Sequence, residues 1–339
     1  MPILYHLTFL PPKMPECVAE LQEVTTLRDH FGGETIYINP NQRSPIYIPR
    51  LLFGFQKLKT LRQIEYDYDL HHIYNADAFA FPILKQLRKP IVYSVSGGIG
   101  RKRPNMRFLD SLAAVVVADE RSLKRLQGWG SKNCMLVHPG IDTSRFHYTP
   151  TPLNKEIYLM VGSAPWTIAQ FQTKGVNALL EAAKQNPHLH LIFLWRGVLD
   201  SEMEQRVQSL NLEKQVQIIK QRVDVNQILS QVHASITLAA APGIVKAYPH
   251  SLLESLAAGK PVLISQGIPM SDYVAHKQCG QIVRTVTAQA ILEALDELLE
   301  KYPAMQTKAQ QVGKNDFSLD KLITTFDRVY KKVLNGDHI

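Results

Sequence analysis

The sequence predicts an α/β protein made of two doubly wound units, and three observations carry that prediction. Short apolar runs alternate with longer amphipathic stretches, the pattern of parallel strands joined by helical crossovers. The alternation stops over residues 141–156, rich in proline, threonine and polar residues, and restarts after them. The chain has 339 residues, 45% of them apolar, which suits two cores better than one.

In the first half, "PILYHLTFL" reads as a strand and "PECVAELQEVTTLRDHF" as a helix that Gly32-Gly33 ends, with "ETIYINP" following as a strand. "YDLHHIYN" and "KPIVYSVS" are further strands, and "DAFAFPILKQLR" between them is expected as a helix. "LAAVVVAD", "ERSLKRLQGWG" and "NCMLVHPG" read as strand, helix and strand. After the break come the strand "IYLMVGS", a helix near "VNALLEAAKQN", the strand "LHLIFLWRG", a helix near "SEMEQRVQSLN", and the runs "QVQIIKQ", "VNQILSQV", "ASITLAAA" and "PVLISQ". In "KLITTFDRVYKKVL" the apolar residues recur at helical spacing.

Several classes of protein are disfavoured. No apolar run is long enough to span a bilayer, and the N-terminus lacks a basic region and breaks at Pro11-Pro12, so it reads as a strand and not a signal peptide. Cys17, Cys134 and Cys279 are odd in number and form no CxxC, which suggests reduced cytosolic thiols without a disulfide framework or zinc site. The net charge is +8, of which +6 falls in residues 1–150. Arg101, Lys102, Arg103 and Arg107 form the densest basic cluster, suited either to an anionic membrane face or to plain solvation. Without interleaved aromatics it does not read as a nucleic-acid site.

One stretch carries chemistry: "AYPHSLLESLAAGKPVLIS", Ala247 to Ser265. Pro249 suits a first helical turn, and Leu252, Leu253, Leu256 and Ala257 make a buried face. Ser251 and Glu254 share another face. Free N–H groups near His250, Ser251 and Leu252 and the helix dipole make an anion site. A diphosphate could rest there with Glu254 reaching ribose hydroxyls; spacing alone leaves that reading level with a solvated glutamate.

The stretch resembles the signature of retaining glycosyltransferases of the GT-B fold, the family-4 group that uses nucleotide-diphospho-sugars. Their pattern is a glutamate, seven residues, a second glutamate, then Ala-Gly-x-Pro-Val-Ile, and "LLESLAAGKPVLIS" matches its second half. "VHPGIDTSRF" resembles the family's lead into its interdomain linker, "FQTKGVNALLEAAK" its Lys-Gly helix start, and "DLHHIYNADAF" and "KPIVYSVSGG" its first-domain strands. The resemblance implies two facing Rossmann-like domains with a cleft between them: an acceptor-side domain at 1–148, a donor domain at 149–318, and a helix at 319–339 crossing back to the first. A hinge near 146–156 would let the cleft close and exclude water.

By that resemblance Glu254 binds the donor ribose and Lys174 places an ammonium on the leaving diphosphate. Arg196 in "LWRG" follows a strand and could reach the same phosphates. Gly162 and Ser163 end the first strand of the donor domain, and backbone groups of Lys220 to Arg222 take the base. Three departures stand out. Lys246 occupies the place of the first motif glutamate, Ser163 stands where many members have an arginine, and Ser96 replaces a histidine before Gly97 and Gly98 on the acceptor side. No metal or other cofactor is implied.

Adjacent His71 and His72 point to opposite faces of a strand and so do not chelate together; one is placed to line the acceptor side. His138 reads as structural. The expectation is a cytoplasmic transferase, peripheral on the inner membrane face, moving a sugar from a UDP- or GDP-type donor to a hydroxyl on a lipid, saccharide or small molecule, without nucleic acid. The alternatives are a nucleotide-sugar-binding partner without turnover, motivated by Lys246 and Ser96, and a nucleotide-sugar epimerase.

Overall fold

Two six-stranded sheets, parallel throughout, organise the chain. The structure is a computed structural model and describes residues 1–12, 18–42, 44–195 and 198–336. One compact unit holds Met1–Gly140 and Leu319–Ile339, the other Ile141–Ser318.

The first unit contains β1 (Ile3–Leu7), β2 (Gly33–Tyr37), β3 (Leu70–Asn75), β4 (Ile91–Val95), β5 (Ala114–Val117) and β6 (Cys134–Leu136), in the order β2-β1-β3-β4-β5-β6. Strands β1, β3, β4 and β5 are buried along their whole length, as a parallel sheet covered on both faces requires. One face packs with the helix Ala19–Phe31 and with Leu322, Phe326, Val329, Tyr330 and Val333 of the helix Leu319–Asn335. The chain runs from β1 to one edge and then returns to β3 to build the other side. The winding therefore reverses between β1 and β3.

The second unit repeats this logic with β7 (Ile157–Val161), β8 (Leu189–Leu194), β9 (Val216–Ile219), β10 (Ala234–Thr237), β11 (Val262–Ser265) and β12 (Gly280–Val283). Their order is β12-β11-β10-β7-β8-β9, so the reversal lies between β7 and β10. In open parallel sheets ligands sit outside the carboxyl ends of the strands at such reversals.

The structure departs from the sequence expectations in places. "DAFAFPILKQLR" is not an α-helix: it contains only a 3-10 turn, Pro82–Gln86. Pro82 holds the preceding Phe81 in an extended conformation, and the Tyr93 hydroxyl takes the Phe79 carbonyl at 2.8 Å, away from any helical ladder. The segment 141–156 is tied into the second unit. Thr151 Oγ1 donates to Val232 O at 3.1 Å, and the Lys260 ammonium donates to Thr149 O at 2.5 Å. The helices Met270–Lys277, Ala288–Glu300 and Tyr302–Asp316, and β12, were not anticipated.

His71 and His72 do occupy opposite faces, but neither lines a surface. Both are fully buried. His71 bonds His6 at 3.0 Å and Glu65 at 3.3 Å, while His72 bonds the Tyr330 hydroxyl at 2.7 Å and Ser94 Oγ at 2.8 Å. Their polarity is spent inside the unit. No helix among the described residues is long and apolar enough to cross a membrane.

Candidate functional site

At the reversal of the second sheet, Gly162 follows β7 and meets the start of the helix His250–Ala257. A Cβ on Gly162 would lie 2.5 Å from the Ser251 Cβ, so only glycine lets strand end and helix start touch. Pro249 stands just ahead of the helix, and the first intrahelical bond runs from Leu252 N–H to Pro249 O at 3.0 Å. The N–H groups before Leu252 therefore have no acceptor within the helix. Leu252, Leu253, Leu256 and Ala257 are buried, while His250, Ser251 and Glu254 are half-buried on the other face.

Lys174 comes to the same edge by a separate route. It closes the short helix Ile168–Thr173, and Gly175 follows in the left-handed region at φ 73°, close against Leu238 beyond β10. Thr173 O accepts the Ala240 N–H at 2.8 Å, which fixes this turn beside the β10 end. The Lys174 ammonium donates to Ala164 O at 2.8 Å, two residues beyond Gly162. Desolvation lowers its pKa from the ordinary lysine value, and among the described residues no carboxylate bonds it. A half-buried cation satisfied by one carbonyl is a group that an anion can still engage.

The structure thus brings Gly162, Ser163, Lys174, Ser251 and Leu252 to one edge. Glu254 lies one turn along the same helix. Lys220 and Arg222 follow β9, two strands from β7 and so about 10 Å away. The Lys220 side chain is taken by Asp200 at 3.0 Å and Glu204 at 2.5 Å, leaving only backbone groups for a ligand. Lys246 is half-buried in the loop before the helix. Arg196 lies outside the described residues.

A hollow of about 460 Å³ opens at the reversal of the first sheet, where β1, β2, β3 and β4 end. Ser96 lies on its wall and donates to Glu20 Oε1 at 3.1 Å. Gly97 and Gly98 have structural reasons for being glycine. A Cβ on Gly97 would lie 2.4 Å from Ala76 O, and Gly98 adopts φ 82°. Sequence reading missed Glu20, Asn39, Arg50 and Asp77 here, although Asn39 and Asp77 carry the expected signal, a polar residue just past a strand. Arg50 grips both Asp77 oxygens at 2.9 Å, holding that carboxyl below its usual range. His138 bonds Glu120 at 3.2 Å, in keeping with a structural role.

Comparison with known proteins bears on both units. Residues 148–316 match the family described as glycosyl transferases group 1. Lipopolysaccharide glucosyltransferase WaaG of Escherichia coli K12 is 27% identical over 183 residues, 49% of this chain; the match spans 46%, about half, of that relative's length. The whole fold resembles Anabaena HepE solved with UDP, with a TM-score of 0.73, 16% identity, and 98% of this chain and 100% of that one covered. HepE has also been solved with UDP-glucose, at TM-score 0.70 and the same identity and coverage. Sucrose-phosphate synthase from Thermosynechococcus elongatus gives 0.76 at 15% identity, over 99% of this chain and 100% of that one. Through residues 148–316 this chain belongs to the glycosyl transferases group 1 family, and its two Rossmann-like sheets form the GT-B fold of those transferases.

Proposed function

We propose that this protein is a retaining glycosyltransferase that moves a sugar from a nucleotide-diphosphate donor, of UDP or GDP type, to an acceptor hydroxyl. The observation that carries this reading is the Lys174 ammonium, without a carboxylate partner among the described residues, beside the Gly162–Ser251 contact at the winding reversal. Family membership and the UDP-glucose held by HepE support a sugar nucleotide there. In this mechanism Lys174 and the N–H groups ahead of Leu252 stabilise the charge that grows on the departing diphosphate. The Glu254 carboxylate accepts hydrogen bonds from the ribose hydroxyls. Lys246 replaces a carboxylate with a cation near the donor and favours its phosphates. The chemistry calls for no metal. The exposed Arg101, Lys102, Arg103 and Arg107 suit a peripheral contact with anionic lipid on a cytoplasmic face.

Calorimetry with UDP, UDP-glucose and GDP-mannose, followed by turnover assays with acceptor extracts, tests the proposal. Glu254→Ala should weaken nucleotide binding about tenfold, the loss of one charge-assisted hydrogen bond. Lys174→Ala should lower the transfer rate by about 10²-fold or more. An unchanged dissociation constant for Glu254→Ala removes that residue from the site. Tight donor binding with neither transfer nor donor hydrolysis would favour the second reading, a binding partner without turnover, which the Lys246 and Ser96 replacements motivate.

A further inference from the structure

We propose that Trp166 is a stacking platform for the ring of the transferred sugar and so helps to select the donor; this deepens the transferase reading above and rests on it. The indole belongs to the loop that follows β7. Gly162 and Ser163 end that strand, and the Lys174 ammonium donates to Ala164 O at 2.8 Å. Trp166 comes two residues after Ala164, within about 7 Å of it along the backbone. The aromatic ring and the cation proposed to hold the diphosphate therefore share one short stretch of chain.

Both are also hung on one residue. The Trp166 N–H donates to Gln170 Oε1 at 2.7 Å, and the Lys174 N–H donates to Gln170 O at 2.9 Å. Next to Gln170, Phe171 is buried, with its ring centre 5.9 Å from that of Trp195. Pro165, just ahead of the indole, is buried as well. A backbone held in this way is ordered before any ligand arrives, which lowers the cost of binding.

The other two tryptophans are absorbed by packing. Trp195 is 2% exposed and gives its indole N–H to Val198 O at 3.2 Å. Trp129 packs against the core of the first unit. Trp166 is 61% exposed, and Ile168 near it is 53% exposed.

The chemistry of the loop selects the ligand. Residues 157–173 carry no charged side chain, so Lys174 is the first charge after β7 begins. Ahead of that cation the loop offers a flat apolar face in Trp166 and a hydroxyl in Thr167, whose side chain makes no capping bond to the helix it precedes. A pyranose is the complement of this pair, with an apolar C–H face and a rim of hydroxyls. In the transferase reading Glu254 meets the ribose and backbone groups past β9 meet the base. The ring that remains beside the diphosphate is the sugar.

Acrylamide quenching of tryptophan emission from the full chain tests this, with Trp166→Phe giving the background from Trp129 and Trp195. The probes are UDP, UDP-glucose, UDP-galactose, GDP and GDP-mannose, each at a saturating level set by calorimetry. A sugar nucleotide that binds should cut the quenching of Trp166 to about half or less of its value with the matching nucleoside diphosphate, because a stacked ring covers one face of the indole. Trp166→Ala should lower the ratio of the Kd for the nucleoside diphosphate to that for the sugar nucleotide about tenfold, whereas Trp166→Phe, which keeps a flat ring, should lower it about threefold or less. The Kd for the nucleoside diphosphate alone should not change in either variant. Equal shielding by the nucleoside diphosphate would put the base on the indole and overturn the proposal. So would a Trp166 left unshielded while a sugar nucleotide is bound, or a Kd ratio indifferent to Trp166→Ala. In those three cases nucleotide still binds and the transferase reading is untouched. If no nucleoside diphosphate and no sugar nucleotide binds, the reading and the platform fall together.

Discussion

Lowering the pH from 7.5 to 5.5 should weaken the first unit selectively, through His6, His71 and His72. All three are at most 1% exposed. Burial drives the pKa of His72 down to about 3 and takes His6 well below the ordinary value. It also lowers His71, against the opposing pull of Glu65. Unfolded histidines titrate near 6.5, so below that pH the unfolded chain binds protons that the folded chain refuses. Stability is thus complete above about pH 6.5 and is lost as the pH falls toward the folded pKa values. At pH 5.5 a histidine whose folded pKa lies far below that pH, as for His72 and His6, costs about 1 kcal/mol, so the pair costs about 2–3 kcal/mol and His71 adds to the loss. That is a large part of the roughly 5–15 kcal/mol of a typical domain. Urea unfolding at pH 7.5, 6.5 and 5.5, followed by hydrogen-exchange mass spectrometry of peptides over β1 and β3, reads the loss. The second unit carries one comparable group, His233, and should lose less. His72→Gln retains a donor and an acceptor but does not titrate, so it should remove about a third to a half of the pH dependence these histidines give. A midpoint for the first unit that stays put across this range, or a variant indistinguishable from wild type, would refute the assignment of these histidines as neutral interior groups.

Gly162→Ala places a methyl 2.5 Å from the Ser251 Cβ and should displace the start of that helix. The expected result is a loss of about 1–3 kcal/mol in stability, measured by denaturation, together with weaker UDP binding by calorimetry. Lys260 is fully buried, and burial lowers its pKa to about 8. Between that pH and the unfolded lysine value the unfolded chain binds the extra proton, so wild-type stability should rise from pH 8 to 10. In Lys260→Met the rise contributed by this group should vanish, as paired urea titrations at the two pH values would show.

The parts of the site legible in the sequence were those with local causes. The helix His250–Ala257 announces itself through Pro249, its buried leucines and Gly259, which takes φ 73° at its end. Lys174 was marked by Gly175, whose conformation permits the turn. What could not be read depends on distant pairing. Arg50 and Asp77 meet across 27 positions, and Ser96 meets Glu20 across 76. The expected helix over "DAFAFPILKQLR" fails because one proline and one distant tyrosine outweigh its apolar spacing. Strand β12 opens at Gly280 because a Cβ there would lie 2.0 Å from Val262 O, a cross-strand demand with no local signature. The interior histidines were misplaced because a strand buried on both faces hides polar side chains as readily as apolar ones.

The division of the chain sets an order of events during synthesis. The second unit is one continuous stretch, whereas the first is interrupted by it. A ribosome therefore delivers every residue of the later-numbered sheet before Leu319 appears. Until then β1 and β3 lack one of the two helices that cover this face, and His72 has no Tyr330 to bond. The nascent first unit waits with an apolar flank uncovered, and a stop codon anywhere ahead of Phe326 would leave it so.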